Sequence, residues 1–418
     1  MIGLVDGNNF FVSCERVFDP SLEGKPVAVL SNNDGCCISR SNEFKALKIP
    51  MGTPYFQLKP LIERYGLILK SGNYELYGDL SRRILSVLRE FADEVEPYSI
   101  DEAFLHPDLP PGTDFHAFGR KIRETILRWV GIPCGVGFAP SRTLAKIANH
   151  IGKKQQDGVF VMPEDPNPIL KELPVSEVWG VGRRLAPKLE RIGLRTAAEL
   201  AAADEVLLRK KFSVQLAKTI RELRGESLLD PEDPDRLSQS ISCSRSFGKP
   251  VLDLSDLSES ICSYTARAAE KLRKERQSAS GVHIYFQYYP EYEPVRLEGG
   301  CTSATIMFPA PTSSTAEMLT RIRPELKKCF IPGRRYKKSG VVFFGLESEQ
   351  IRQPDLFDSR AELEKQESLS RTADAINRRF GRGTLFHLSE GINQTWSMRR
   401  ELLSPRRTTD WNQLLVVK

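Results

Sequence analysis

The chain has 418 residues, of which 40% are hydrophobic and 27% charged, with a formal net charge of +6. This composition excludes a wholly disordered chain, and the length predicts about three domains. No apolar run approaches the ~18 residues of a membrane helix, so we expect a cytoplasmic protein with no membrane partner.

Charge is unevenly distributed along the chain. Residues 1–165 hold 19 basic and 21 acidic residues, whereas residues 371–418 hold 9 and 4. This pattern suits a metal site near the amino end and polyanion binding near the carboxyl end, although an asymmetry that only serves solubility would give the same counts. The eight cysteines show no CxxC or Cys/His spacing, which favours reduced thiols without a zinc site.

The first 165 residues alternate between short apolar segments and helical patterns. Strands are predicted at 2–6, 26–31, 95–105 (two strands around a bend) and 133–139. Helices are predicted at 43–50, 74–92, 115–130 and 141–154, the last with Ser141 as its N-cap. This order predicts an α/β or α+β layer.

The pattern changes after a Pro-rich connector at 163–168. Short helical segments follow, interrupted by Gly180, Gly182 and Gly193, until a second Pro/Asp connector at 230–235. From residue 241 onward, four strand patterns and a long helix at 259–276 predict an α+β domain, which is followed by a charged helix and a basic end.

Three carboxylates occupy positions where a strand ends or bends. Asp6 ends the first strand, and Asp101 and Glu102 lie side by side in YSIDEAF (98–104). Three carboxylates near one point need neutralising cations, and oxygen ligands without His or Cys favour magnesium. Each acid taken alone is more often a cap or a solvated charge.

Four ordered motifs together resemble the Y-family, or translesion, DNA polymerases. They are LVDGNNFFVSCE (4–15), VLSNNDGCCISRSNEFKALKIPMGTP (29–54), YSIDEAF (98–104) and TLAKIANHIGKK (143–154). The later VWGVGRRL (178–185), ISCSRSFG (241–248) and the C-terminal segment narrow the resemblance to the UmuC-like branch, the catalytic subunits of bacterial DNA polymerase V. The resemblance runs along essentially the whole chain.

The resemblance implies an α+β multidomain fold, a right-hand polymerase with four parts and a tail. These would be a ferredoxin-like palm (1–10 and 75–165), small fingers (11–74), a helix-hairpin-helix thumb (166–235), an α+β little finger (240–346) and a C-terminal tail (347–418). In the palm we expect helices on one face of a mostly antiparallel sheet.

Asp6, Asp101 and Glu102 would then be the catalytic carboxylates, and with the Gly7 carbonyl they would hold two Mg²⁺ ions. Asp6 and Asp101 would bridge both ions, and Glu102 would face the ion that activates the primer hydroxyl. The resemblance also implies deoxynucleoside triphosphates and primer-template DNA as substrates.

The resemblance assigns four further residues to the nucleotide. The resemblance places Phe11 at the aromatic gate that excludes a ribose 2′-hydroxyl. From the sequence pattern alone, Phe11 would be read as an ordinary core residue. Lys45 and Lys153 would bind the triphosphate through charge-assisted hydrogen bonds, and Asn42 stands where many relatives have Tyr.

DNA phosphates would be bound by the thumb and little finger, without sequence readout. The assigned residues are Gly180, Gly182, Arg183, Arg184, Arg245, Lys249, Arg334, Arg335, Lys337 and Lys338. The alternative interpretation of Gly180–Gly182 is an ordinary helical turn that binds no phosphate.

The sequence QPDLF (353–357) matches a sliding-clamp ligand, with Gln353, Leu356 and Phe357 binding the β sliding clamp. The tail resembles the extension associated with the cleaved UmuD-type dimer and RecA, although its basic residues could equally contact DNA nonspecifically.

We therefore expect a template-directed, error-prone DNA polymerase that acts in translesion synthesis during the SOS response, without proofreading. One alternative is a catalytically silent DNA- and clamp-binding accessory factor, against which the intact carboxylates argue. The other is a two-metal nuclease, in which Lys45 and Phe11 would have no role.

Overall fold

The structure, a computed structural model, describes residues 1–228, 237–290, 300–349 and 360–414. It divides into two compact units, one of Met1–Asp230 with Glu401–Lys418 and one of Pro231–Arg400. Within the described residues, no helix is both long and apolar enough to cross a membrane. The clamp-like residues Gln353, Leu356 and Phe357 lie outside the described residues.

The strands of the described residues are numbered in chain order. They are β1 (Ile2–Gly7), β2 (Val27–Leu30), β3 (Cys37–Arg40), β4 (Ile68–Ser71), β5 (Glu94–Pro97), β6 (Glu102–His106), β7 (Cys134–Ala139), β8 (Val159–Val161), β9 (Ser240–Val251), β10 (Gln277–Tyr288), β11 (Cys301–Thr312) and β12 (Tyr336–Ser348).

The α-helices of the described residues are numbered in the same way. They are α1 (Phe10–Phe18), α2 (Asn42–Ala46), α3 (Tyr55–Tyr65), α4 (Tyr74–Leu88), α5 (Phe115–Val130), α6 (Arg142–Gly152), α7 (Asn167–Glu172), α8 (Ala186–Glu190), α9 (Ala197–Ala202), α10 (Glu205–Lys211), α11 (Val214–Leu223), α12 (Leu254–Lys274), α13 (Thr315–Cys329) and α14 (Arg360–Phe380).

The main sheet of the first unit has the order β5-β6-β1-β7-β8. The pairs β5–β6, β6–β1 and β1–β7 are antiparallel, and β8 joins β7 in parallel. The path β1, α4, β5, β6, α5, β7 is a ferredoxin-like arrangement, as predicted. Val5, Val136 and Phe138 pack with α4 and α5 in one buried cluster on one face.

The expectation of helices on one face only is wrong, because α6 covers the other face. Successive strand residues point to opposite faces, so Leu4 lies opposite to Val5, and both side chains are buried. Leu4 and Phe104 pack with Leu144 and Ala148 of α6. An apolar second face must be covered, and the connection from β7 to β8 supplies the helix that covers it.

A smaller sheet, β3-β2-β4, packs with α2 and α3. Helix α2 ends at Ala46, earlier than the predicted 43–50, because Lys48 takes a left-handed backbone conformation (φ 58°) that a helix cannot continue through. Helix α4 likewise ends at Leu88, before residue 92. Five short helices, α7 to α11, follow the main sheet.

The second unit contains a four-stranded antiparallel sheet, β11-β10-β12-β9, with α12 and α13 packed against it. This matches the α+β domain predicted from residue 241. Helix α12 begins at Leu254, five residues before the predicted start. In α14, Asp374 forms a two-point ion pair with Arg273 of α12, at 2.6 and 2.8 Å.

Helix α6 approaches β7 so closely that only glycine fits between them. A Cβ atom on Gly137 would lie 2.2 Å from the backbone nitrogen of Asn149. We expect Gly137→Ala to lower the free energy of unfolding by about 3 kcal/mol, because either the helix or the strand must move.

Thermal unfolding of the full chain measures this change. The control is Gly78→Ala in α4, where the new Cβ meets nothing closer than 3.8 Å, and which we expect to stabilise the helix by about 0.5–1 kcal/mol. Equal unfolding temperatures for the two variants would contradict the close packing of α6.

Candidate active site

The pairing of β1 with β6 places two carboxylates side by side. Asp6 lies directly opposite Glu102 in the antiparallel register. Residues opposed in this way project from the same face of a sheet, with their Cβ atoms about 4.5–5.5 Å apart. That face is the one covered by α6. Asp6 and Glu102 are the next pair on this face after Leu4 and Phe104, which pack against α6.

Asp101 reaches the same region from the bend between β5 and β6. Its backbone carbonyl accepts a hydrogen bond from the Gly7 amide at 2.9 Å, and its carboxylate accepts one from the Ser99 hydroxyl at 2.5 Å. Since Asp101 precedes the strand, strict alternation does not separate it from Glu102. Asp101 and Glu102, which are adjacent in the sequence, therefore both lie near Asp6.

Two lysines of the α6 segment form ion pairs with two of these three acids. The Lys153 ammonium lies 2.6 Å from the Asp6 carboxylate, and the Lys146 ammonium lies 2.9 and 3.0 Å from the two Glu102 oxygens. Burial raises the pKa of Asp6 to about 6, with Lys153 opposing the rise and Glu102 and Asp101 adding to it. The site thus contains more negative charge than burial favours.

Lys146 was not singled out in the sequence, although it lies within the TLAKIANHIGKK motif. Its ammonium lies 4.4 Å from the ring centre of Tyr98, 5.2 Å from that of Trp179 and 6.0 Å from that of Phe104. Aromatic faces attract cations, so these three rings hold Lys146 against Glu102. Only the fold brings the rings together.

The carboxylates fit a divalent cation chemically but are not arranged around one. In the described part of the chain, no group of three or more His, Cys, Asp or Glu side chains has a metal-binding arrangement. Carboxylate and carbonyl oxygens are the ligands Mg²⁺ prefers. Lys153 and Lys146 form ion pairs with Asp6 and Glu102, so a bound metal ion would replace these lysines as the partners of the carboxylates.

A second cationic group lies beside the acids, in the predicted nucleotide segment. The Lys45 ammonium donates to the Asn9 side-chain oxygen at 2.5 Å, and the Asn9 amide donates to Asn42 at 3.0 Å. Burial lowers the pKa of Lys45, and the charges of Arg40 and Lys153 lower it further. Lys45, Arg40 and Lys153 therefore form one electropositive group, with the Asp6 carboxylate as its counter-charge.

Asn9 and Arg40 were missed by the sequence reasoning. Asn9 is the N-cap of α1 and has a left-handed backbone (φ 48°), which is common for Asn and which directs the chain from β1 into the helix. Arg40 donates to the Ile49 carbonyl at 2.6 Å. A basic side chain two residues before the helix that carries Lys45 was the available signal.

Phe11 belongs to an aromatic platform in the first turn of α1. Its ring stacks on Tyr77 of α4 with centres 4.6 Å apart and planes 16° apart, and it meets Tyr74 edge-on at 5.8 Å. Phe11 is half-buried, whereas Phe10 is buried in the core. One of the two adjacent rings is thus core, and the other is partly exposed where it packs against that core.

The predicted phosphate contacts of residues 178–185 lie on an exposed turn. Gly180 has a left-handed backbone (φ 86°) that favours glycine, and Gly182, Arg183 and Arg184 are exposed ahead of α8. The Gly182 carbonyl accepts the amides of Leu185 and Ala186. This leaves the two arginines in solvent, where a phosphate can reach them.

In the second unit, four of the six predicted basic residues lie over tyrosine rings. Arg334 lies over Tyr288, Arg335 and Lys337 over Tyr289, and Lys338 over Tyr285, at 5.0 to 6.0 Å. We call Arg334, Arg335, Lys337 and Lys338 the basic strip.

Arg245 and Lys249, the other two predicted contacts, lie on β9. Arg245 is paired in the sheet with Ser339, whose hydroxyl contacts Ser260 of α12. Arg245 therefore projects from the face of the sheet that α12 covers, whereas Lys338, the neighbour of Ser339, projects from the other face. Lys249 is exposed.

Comparison with known proteins places the chain in a family. Models of the impB/mucB/samB family match residues 5–150, its HHH motif 163–194 and its C-terminal domain 238–356, and a domain of unknown function matches 367–417. The protein UmuC of Salmonella typhimurium is 41% identical over 424 residues, with full coverage of both chains.

The chain belongs to the UmuC-like branch of the Y-family DNA polymerases.

Two further relatives support this. "DNA polymerase IV 1" of Bacillus subtilis is 29% identical over 391 residues, which cover 90% of each chain. The structure of a Y-family DNA polymerase chimera based on Dbh superposes with a TM-score of 0.62 at 22% identity, covering 83% of this chain and all of that one. The right-hand polymerase fold is thereby confirmed. The domain boundaries and individual site residues stay predictions.

The basic strip gives a test that concerns DNA affinity alone. We expect Lys337→Ala with Lys338→Ala to weaken duplex binding equally for all sequences, and to reduce the slope of log K against log salt by about 1–2, since each lost phosphate contact removes ~0.9. Fluorescence anisotropy at several salt concentrations measures both.

Lys328→Ala is the matched control, because Lys328 is exposed on α13 and pairs with Glu325 at 2.7 Å. An unchanged slope in the double variant would remove these two lysines from the DNA interface.

Proposed function

We propose that this translesion DNA polymerase extends a primer against a template strand, past damaged bases, by nucleotidyl transfer with two magnesium ions. The observation that carries the proposal is the opposition of Asp6 and Glu102 at paired strand ends, with Asp101 beside them. A carboxylate group next to the electropositive group of Lys45, Arg40 and Lys153 suits a metal-bound triphosphate.

The proposed metal ligands are Asp6, Asp101, Glu102 and the Gly7 carbonyl. Ions bound there would acidify the primer hydroxyl and neutralise charge on the triphosphate and the leaving pyrophosphate. The donor set fits because all four residues offer oxygen. The pKa of Asp6, which burial raises to about 6, supports the proposal, because a bound cation would stabilise the charged carboxylate that burial disfavours.

The remaining residues of the proposal bind and orient the nucleotide. Lys45 and Lys153 donate to phosphate oxygens, and Arg40 adds its charge to theirs. Asn42, held by Asn9, lies next to Lys45. The Phe11 ring limits the space beside the sugar. In this proposal the sugar and the triphosphate are contacted from α1, from α2 and from Lys153, which follows α6.

The proposal extends to partners and setting. A beta sliding clamp would bind Gln353, Leu356 and Phe357, and a cleaved UmuD-type dimer and RecA would bind the tail, in a bacterial cytoplasm. Support comes from the UmuC relative, which matches the chain from end to end, and from the QPDLF sequence. The proposed synthesis includes no proofreading step.

A silent accessory factor that binds DNA without synthesis is the second candidate. The observation that would favour it is the pairing of Asp6 with Lys153 and of Glu102 with Lys146, which satisfies the acids without a metal. The two candidates differ in whether an added divalent cation supports primer extension.

Asp101→Asn tests the carboxylate site. We expect primer extension with Mg²⁺ and all four deoxynucleotides to fall by about a thousandfold, because the amide carries no charge to hold a cation, while primer-template affinity changes little. Gel-based extension assays with the UmuD-type and RecA partners supplied measure the rate.

Asp108→Asn is the control, since Asp108 is an exposed acid in the segment that follows β6. Retained synthesis in Asp101→Asn would refute the role of Asp101. No synthesis by the unaltered chain, with partners present, would favour the accessory factor.

A further inference from the structure

The segment Glu401–Ser404, which we call the tail clasp, belongs to the first unit and contacts residues of its amino-terminal part through its backbone. The Ser71 amide donates to the Leu402 carbonyl at 3.0 Å, and the Leu402 amide donates to the Ser71 hydroxyl at 2.9 Å. The Glu401 amide donates to the Asp34 carboxylate at 3.0 Å. Leu402 packs against the apolar core around Leu30 and Phe44. The tail clasp is thus anchored at the end of β4.

Ser404 of the tail clasp is buried and lies at the start of α4. The Asn73 side-chain amide donates to the Ser404 hydroxyl oxygen at 2.9 Å and to its carbonyl at 3.3 Å. Asn73 is itself the N-cap of α4, accepting from the Leu76 amide. The position of Ser404 therefore bears on where α4 begins.

The Ser404 hydroxyl also reaches a buried carboxylate. It donates to one oxygen of Glu15 at 3.0 Å, and the Tyr77 hydroxyl donates to the same oxygen at 2.7 Å. Glu15 is 3% exposed, and burial raises its pKa, with the two hydroxyl donors opposing the rise. A buried carboxylate needs its donors, so Glu15 binds both partners together.

The Tyr77 ring is the one on which Phe11 stacks, and Glu15 and Phe11 lie on the same helix, α1. A continuous series of contacts thus leads from Ser404 through Glu15 and Tyr77 to Phe11.

We propose that Ser404 is a positioning residue for the Phe11–Tyr77 platform, through which the C-terminal tail sets how strictly the polymerase selects deoxynucleotides over ribonucleotides. The proposal rests on the role given to Phe11 under the proposed function. It assigns a task to part of residues 367–417, whose family model is a domain of unknown function.

The physical reason is the small tolerance of a steric gate. A 2′-hydroxyl adds one oxygen atom to the sugar, so a ring that shifts by a fraction of an ångström admits or excludes it. Loss of the Ser404 hydroxyl leaves Glu15 with one donor fewer and leaves the Asn73 amide with only the more distant Ser404 carbonyl as its acceptor there. Both Tyr77 and the first turn of α4 then have room to move away from Phe11.

Ser404→Ala in the full chain tests the proposal. The measurement is kcat and KM for insertion of a deoxynucleotide and of the matching ribonucleotide opposite one template base. We expect the ratio of the two kcat/KM values to fall by roughly 3- to 10-fold, mainly through faster ribonucleotide insertion, with deoxynucleotide insertion changed by less than about 2-fold.

Ser397→Ala is the matched control, because it makes the same chemical change at an exposed serine of the tail. A general loss of folding would lower insertion of both nucleotides, which differs from the expected change in their ratio.

Tyr77→Phe provides a second variant, since it keeps the ring and removes the hydroxyl that binds Glu15. We expect the same fall in selectivity, and we expect the double variant to fall no further than about either single one, because both hydroxyls act through Glu15. Fully additive effects in the double variant would contradict a shared route through Glu15.

Phe11→Ala separates failure of this proposal from failure of the proposed function. If Phe11→Ala admits ribonucleotides while Ser404→Ala and Tyr77→Phe keep full selectivity, the gate stands and the positioning role of Ser404 is refuted. If Phe11→Ala leaves selectivity unchanged, the gate itself is refuted, and the proposal falls with it.

Discussion

The register between β1 and β6 is the constraint on which the site depends. Asp6 pairs with Glu102 and Leu4 with Phe104, so the face that α6 needs for its apolar contacts is also the face from which both carboxylates project. A slip of β1 by one residue would turn Leu4 and Asp6 together to the opposite face, away from Phe104 and Glu102 on β6. Core packing and the position of the acids are therefore fixed by the same hydrogen bonds.

Placing acids at the end of a buried sheet creates a charge that the surrounding chain must balance. Lys153 and Lys146 supply that balance from the α6 segment, and Lys45 and Arg40 add positive charge from the neighbouring small sheet and its helix. A magnesium-bound triphosphate carries both signs of charge. An arrangement with acids on the sheet and cations on the facing segments is complementary to it. In the proposed function, Lys153 exchanges Asp6 for a phosphate oxygen when this substrate binds.

Sequence patterns predicted most of the local structure, because strand alternation, helical spacing and N-caps act over a few residues. The helix at 115–130 and the bend before Glu102 are examples. The patterns could not predict that α6 covers the second face of the sheet, because this depends on the spatial order of the strands, in which β8 lies next to β7. The aromatic surroundings of Lys146 and the contact of Ser404 with Glu15 were also beyond them. The three rings lie 33 to 48 positions from Lys146 along the chain, and Ser404 lies 389 positions from Glu15. No periodicity links such residues.

The most direct measurement is an anomalous-scattering map of crystals of the full chain grown with primer-template DNA, an unreactive nucleotide analogue and Mn²⁺ in place of Mg²⁺. The account predicts manganese peaks bound by Asp6, Asp101 and Glu102, with Lys153 turned from Asp6 toward the triphosphate. Nucleotide bound without manganese at these carboxylates, with Lys153 still paired to Asp6, would contradict it.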